Sequence, residues 1–129
     1  MPARLALGAV LLAGLAACAT APSPKVSPQE YAAMQTVLRD SAEARQELQG
    51  VCTANIAGKS PREREMIAAF LDVDPGNLDR VFCERVIAGI ARKDITYEDF
   101  LSMSAERMEP ATMRRFMRAL RRDPSEVMV

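Results

Sequence analysis

Histidine and tryptophan are absent from this chain. Without histidine, a nucleophile–histidine triad and an imidazole general base are excluded. Zinc also loses its commonest nitrogen ligand. Aromatic residues make up only 5%, so a core must rest on Leu, Ile, Val, Met and Ala. No charge of one sign prevails. Lys and Arg number 17 and Asp and Glu 17, so bulk charge favours neither nucleic acid nor an acidic substrate. No Gly-rich phosphate loop occurs. The paired acids Glu63 with Glu65 and Glu98 with Asp99 stand at helix starts among basic neighbours, where the macrodipole accounts for them. We therefore expect no catalysis.

A long apolar run is missing as well. The longest, Leu5 to Leu15, is 11 residues, whereas a spanning helix needs roughly 20. It follows Met1-Pro2-Ala3-Arg4, a short start with one positive charge, which is the pattern of an export leader. The run closes on Leu15-Ala16-Ala17-Cys18: an aliphatic residue, two small ones and a cysteine. This segment resembles the lipobox of bacterial lipoproteins. The resemblance covers the leader and the first mature residues only. It implies removal of residues 1–17, diacylglycerol in thioether linkage on Cys18 and a fatty acid on its new amino group, with no other cofactor. Two or more acyl chains, at about 0.8 kcal/mol per buried CH₂, anchor a protein far more firmly than one. Ala19 stands where an Asp would resemble an inner-membrane retention signal. The implied address is the outer membrane, facing the periplasm, or the outer face of the plasma membrane in a one-membrane cell.

Residues 18–27 then form a lipidated cysteine and a Pro-rich tether. At about 3.1 Å per residue, the nine residues from Ala19 to Ser27 reach roughly 28 Å. Beyond them, residues 28–122 carry helical periodicity and 123–129 are expected to fray as a tail. With Cys18 alkylated, Cys52 and Cys83 remain. An even pair in an oxidising compartment reads as a disulfide, and one is valuable to a core this small.

The helical signals are specific. Ser27-Pro28-Gln29-Glu30 reads as a capping box. Met34, Leu38, Ser41, Leu48, Cys52 and Ile56 then recur at helical steps, predicting one long helix to about Ala57. Gly58 is expected as its left-handed stop and Gly50 as a bend. Ser60-Pro61-Arg62-Glu63 starts a second helix, with Met66, Ile67, Phe70 and Leu71 as its buried face. The third runs from about Asn77 to Lys93, with Gly89 letting another helix approach closely. Thr96 caps a fourth and Pro110 opens a fifth. No stretch alternates long enough to make a strand. The reading is all-α: a small bundle of four or five short-looped helices, stapled by Cys52–Cys83.

Ligand motifs are poor. Asp72-Val73-Asp74-Pro75-Gly76-Asn77 places its glycine fifth rather than sixth, and Cys83 falls where a calcium loop needs Glu. Met103, Met108, Met113 and Met117 are soft-metal donors in principle but read as core filling. The distinctive feature is the fifth helix. Arg114, Arg115, Arg118, Arg121 and Arg122 share one face opposite the Met113, Phe116, Met117 and Leu120 stripe. A solvated face is the plain account. The functional one is contact with an anionic lipid surface or an acidic protein, nucleic acid having no place in the envelope. The chain reads as an interaction or structural lipoprotein, with a small-ligand or ion-binding helical domain as the alternative.

Overall fold

The computed structural model describes residues 25–105 and 107–127. The leader, the lipobox with Cys18 and the tether as far as Pro24 lie outside the described residues. Six α-helices occur among the described residues: α1 (Pro28–Asp40), α2 (Ala42–Ala57), α3 (Pro61–Leu71), α4 (Leu78–Ala91), α5 (Tyr97–Ser104) and α6 (Pro110–Leu120). The protein is all-α, a small bundle around α4, with no strand among the described residues.

Local chemistry sets the helix starts. Ser27 and Glu30, Ser60 and Glu63, and Thr96 and Asp99 each exchange side-chain and backbone hydrogen bonds as capping boxes, as the sequence predicts. The backbone N–H of Ser60 holds the Glu63 carboxyl below its ordinary pKa. Each box satisfies backbone donors that a helix start leaves without partners.

The long first helix is two helices. Ser41, read as part of an apolar stripe, adopts extended geometry and divides them. Its N–H donates to the Val37 carbonyl at 2.9 Å, closing α1, and its Oγ accepts from Ala44 N at 3.1 Å, opening α2. Arg45 reaches back to the Leu38 and Arg39 carbonyls at 2.7 and 3.0 Å. With both broken ends satisfied, the interruption costs little. Gly50 sits within α2 without ending it, and Gly58 is right-handed, at φ −77°. Positive φ falls instead on Asp72 and Lys93.

Lys93, at φ 66°, turns the chain back after α4. The N–H groups of Asp94 and Ile95 both reach the Gly89 carbonyl, and Ile95 folds onto Gly89 itself. A Cβ at Gly89 would lie 2.9 Å from Ile95 Cδ1. The close approach at Gly89, expected of another helix, is made chiefly by this loop residue, with Ala119 of α6 behind it at 3.9 Å.

α4 is the axle of the bundle. It packs against α1, α2, α3 and α6, and every residue from Val86 to Ala91 is buried. A helical segment hydrophobic all round is a central one. Cys83 on α4 is fully buried and bonded to Cys52 on α2, with the Cα atoms 5.8 Å apart. Within the segment expected to fray, residues 128–129 lie outside the described residues, and Pro124–Val127 form a short 3-10 turn against α4. Arg92 holds it there, donating to the Asp123 and Ala119 carbonyls.

One buried polar knot lies at the start of α5. The Tyr31 hydroxyl donates to the Ile95 carbonyl at 2.6 Å, and its ring stacks obliquely on Tyr97 and Phe100. Burial, then the nearby Asp99 charge, push the Tyr31 phenol from 10.0 up to about 12. The folded pKa lies above the unfolded one, so the stabilisation is complete below pH 10 and lost as pH rises towards 12. We expect alkaline destabilisation in that window, on the order of 2 kcal/mol or less. Urea titrations across that window should show it for the wild-type chain, and Tyr31→Phe should remove this component.

Candidate functional site

α6 is the most polarised surface of the fold. Phe116, Ala119 and Leu120 are buried against the bundle, which turns the arginines outward. The five predicted arginines nonetheless have two different fates. Arg115 donates to Asp99 Oδ1 at 2.9 Å, and Asp99 is 1% exposed. Arg122 donates to Asp94 Oδ2 at 2.8 Å, and Asp94 also pairs with Arg92 at 2.9 Å. Arg115 fastens α6 to α5, and Arg122, just past α6, fastens its end to the loop between α4 and α5. Their neighbours Arg114, Arg118 and Arg121 make no ion pair with the described residues.

Those three line a shallow groove of about 290 Å³ together with Phe70, Met113 and Met117. The stripe and the basic face are therefore contiguous along one edge. Met113 is 40% exposed, whereas Met103, Met108 and Met117 pack partly buried against the core. The methionines read as core filling accordingly include one surface residue.

Phe70 and Met66 are the functional candidates that sequence reasoning misses. Both were expected on the buried face of the second helix, yet they are 54% and 63% exposed. α3 turns Ala68 and Leu71 inward instead, with Ile67 partly covered. Small Ala68 lets the helix approach, and Arg64 pins it by donating to the Ile56 carbonyl at 2.9 Å and pairing with Asp79 at 2.7 Å. The signal was present in the width of the apolar arc. Met66, Ile67, Phe70 and Leu71 cover more of the helix than one neighbouring helix can bury.

A second concavity, about 430 Å³, lies between α2, α4 and the C-terminal turn. Ile87 and Ala88 floor it, and Arg45, Gln46, Gln49, Glu84 and Asp123 stand around it. Most of these polar groups already serve the fold. Arg45 caps α1, Gln49 donates to the Arg80 carbonyl, and Glu84 pairs with Arg80. Asp123 accepts from Ser125 N, which holds its carboxyl below the ordinary range.

The other sequence candidates resolve into structural roles. Asp74 Oδ1 accepts from Gly76 N at 2.8 Å, and Asp72 ends α3 in left-handed geometry, so that segment is a helix-ending turn. Among the described residues no group of three or more Cys, Asp or Glu is placed to hold a metal ion. Nor, among them, is any helix long and apolar enough to cross a membrane. The chain shows no significant match to a protein family, a curated protein or a solved structure.

Proposed function

We propose that this chain is a lipid-anchored protein of the bacterial cell envelope. It is exported by its leader, cut before Cys18 and acylated there. Its helical domain then works at the membrane as an interaction or structural module without catalysis. The observation that carries the reading is the charged start, short apolar run and Leu15-Ala16-Ala17-Cys18 in that order. The Cys52–Cys83 bridge supports it, because such bonds persist outside the reducing cytoplasm. The non-catalytic part draws support from the acids. Glu63 and Asp99 act as helix caps, and the chain has no histidine.

Metabolic labelling with a tagged fatty acid tests the anchor. The wild-type chain should carry the label and sediment with membranes. Cys18→Ala should carry none and leave the membrane-bound pool of mature protein. Equal labelling of both chains, or of neither, defeats the reading. A small-ligand role for the cleft over Ile87 and Ala88 is the second reading, favoured by its size and apolar floor. A ligand bound there would raise the unfolding midpoint with concentration.

A further inference from the structure

We infer that the shoulder between α3 and α6 docks the domain onto a bilayer rich in anionic phospholipid, with Met66, Phe70 and Met113 entering the interface and Arg114, Arg118 and Arg121 meeting phosphates. This rests on the lipid-anchored reading above. Of the five exposed large apolar side chains of the described fold, Met66, Phe70 and Met113 belong to this one shoulder. Met66 stands one helical turn before Phe70 on α3, and Phe70 shares the groove with Met113. Large apolar groups held in water beside cations are the signature of an interfacial surface, where the apolar part enters the acyl boundary and the guanidinium groups stay at headgroup level.

Charge selects the occupant. Arg115 and Arg122 are bound to Asp99 and Asp94, so they contribute little outward attraction. Arg114, Arg118 and Arg121 make no ion pair among the described residues and remain available to an anion. Each basic residue near an anionic membrane improves binding about fivefold, so three together supply on the order of a hundredfold.

A stable interface with a free protein partner needs about 800 Å² on each side. A bilayer to which the chain is already tethered needs far less intrinsic affinity, because the second contact is intramolecular. The tether also leaves the fold in the right place. The Val26 carbonyl accepts from the Tyr97 hydroxyl at 2.7 Å, at the start of α5, and Asp99 of that same first turn holds Arg115 of α6. With Val26 held at the fold, the seven residues from Ala19 to Lys25 can span about 22 Å, close to twice a helix diameter of about 10–12 Å. An anchored chain therefore keeps this shoulder within reach of its own membrane.

The absence of native tryptophan gives a clean probe. The full acylated chain carrying Phe70→Trp is reconstituted on vesicles of phosphatidylcholine, alone or mixed equally with phosphatidylglycerol. On the anionic vesicles its emission should shift to the blue and be quenched by brominated acyl chains. Salt at 1 M, where the Debye length is about 3 Å, should reverse both effects. Changing Arg114, Arg118 and Arg121 together to Gln should lower the docked-to-undocked ratio on the order of a hundredfold. Emission that is the same on both vesicles, that is unaffected by the three Gln changes, or that is already blue without vesicles overturns the docking. Met66→Trp serves as the second reporter if the first variant has an altered unfolding midpoint. Flotation of the same samples on phosphatidylcholine reads the anchor separately. A chain that floats on phosphatidylcholine but whose emission stays unshifted on the anionic vesicles removes the docking and leaves the anchor intact. A chain that fails to float removes the anchor, while the emission on anionic vesicles still decides the docking.

Discussion

Reduction of the Cys52–Cys83 bridge lowers the unfolding free energy by about 3.7 kcal/mol in the chain-entropy estimate. The bond closes a loop whose ends are 31 positions apart, and that loop contains the end of α2, all of α3 and the first half of α4. Breaking it frees the denatured chain far more than it changes the native contacts. Cys83 lies fully buried beneath the helix pair, so its side chain keeps its packing when the bond is gone. The loss falls on a core with little in reserve. In a domain of this size each kcal/mol shifts the melting temperature by about 4–8 °C, so a fall of roughly 15–30 °C is expected. Thermal unfolding of wild-type chain with and without reductant, beside Cys52→Ser/Cys83→Ser, measures it. The double variant should match the reduced wild type and no longer respond to reductant. A shift of only a few degrees would mean that α2 and α4 hold together without the bond.

The legibility of this fold followed the range of the forces involved. Capping boxes at Ser27, Ser60 and Thr96 are complete within four residues, so the sequence shows them and the structure has them. The apolar side of α4 is equally plain, because Val86 to Ala91 are apolar on every side and only the first half of the helix, with Arg80 and Glu84, faces solvent. The break at Ser41 was hidden for a definite reason. Ser41 continues the helical spacing from Leu38, and beside its own cap the groups that stabilise the break come from Arg45, several residues further on.

The candidate site was legible in half. Helical spacing placed the five arginines on one face, which is correct. Spacing could not show that Asp99 and Asp94 claim Arg115 and Arg122, because those acids sit 16 and 28 positions away. Nor could it show which side of α3 faces the bundle. Met66 and Phe70 were assigned inward on hydrophobicity alone, and the small Ala68 decided otherwise. Tertiary partners, rather than periodicity, separate the arginines that hold α6 in place from those that face outward.

Asp99→Ala is expected to cost about 2–4 kcal/mol through the polar contacts it removes. Two losses combine. The capping box of α5 loses the acceptor for Thr96 N, at 3.2 Å, and Arg115 loses the carboxylate that draws α6 inward at 2.9 Å. Arg115 is half-exposed, so on its own it regains water and only part of a buried pair's worth is at stake. Arg115→Gln acts from the other side, leaving a buried carboxylate without its cation, and should destabilise less than Asp99→Ala. If the two groups act mainly through each other, combining the changes should add less than the sum of the single effects in urea unfolding. Asp99→Asn separates charge from shape. It keeps an acceptor near Thr96 but removes the negative charge that helps hold the Tyr31 phenol at about 12, so tyrosinate absorbance from Tyr31 should appear at lower pH. Burial, the larger cause, still keeps that pKa above 10. An unaltered Tyr31 titration in Asp99→Asn, with near-native stability in Asp99→Ala, would show the knot to be incidental. The opposite result makes Asp99 the residue through which α1, α5 and α6 are held in register, and with them the outward set of Arg114, Arg118 and Arg121.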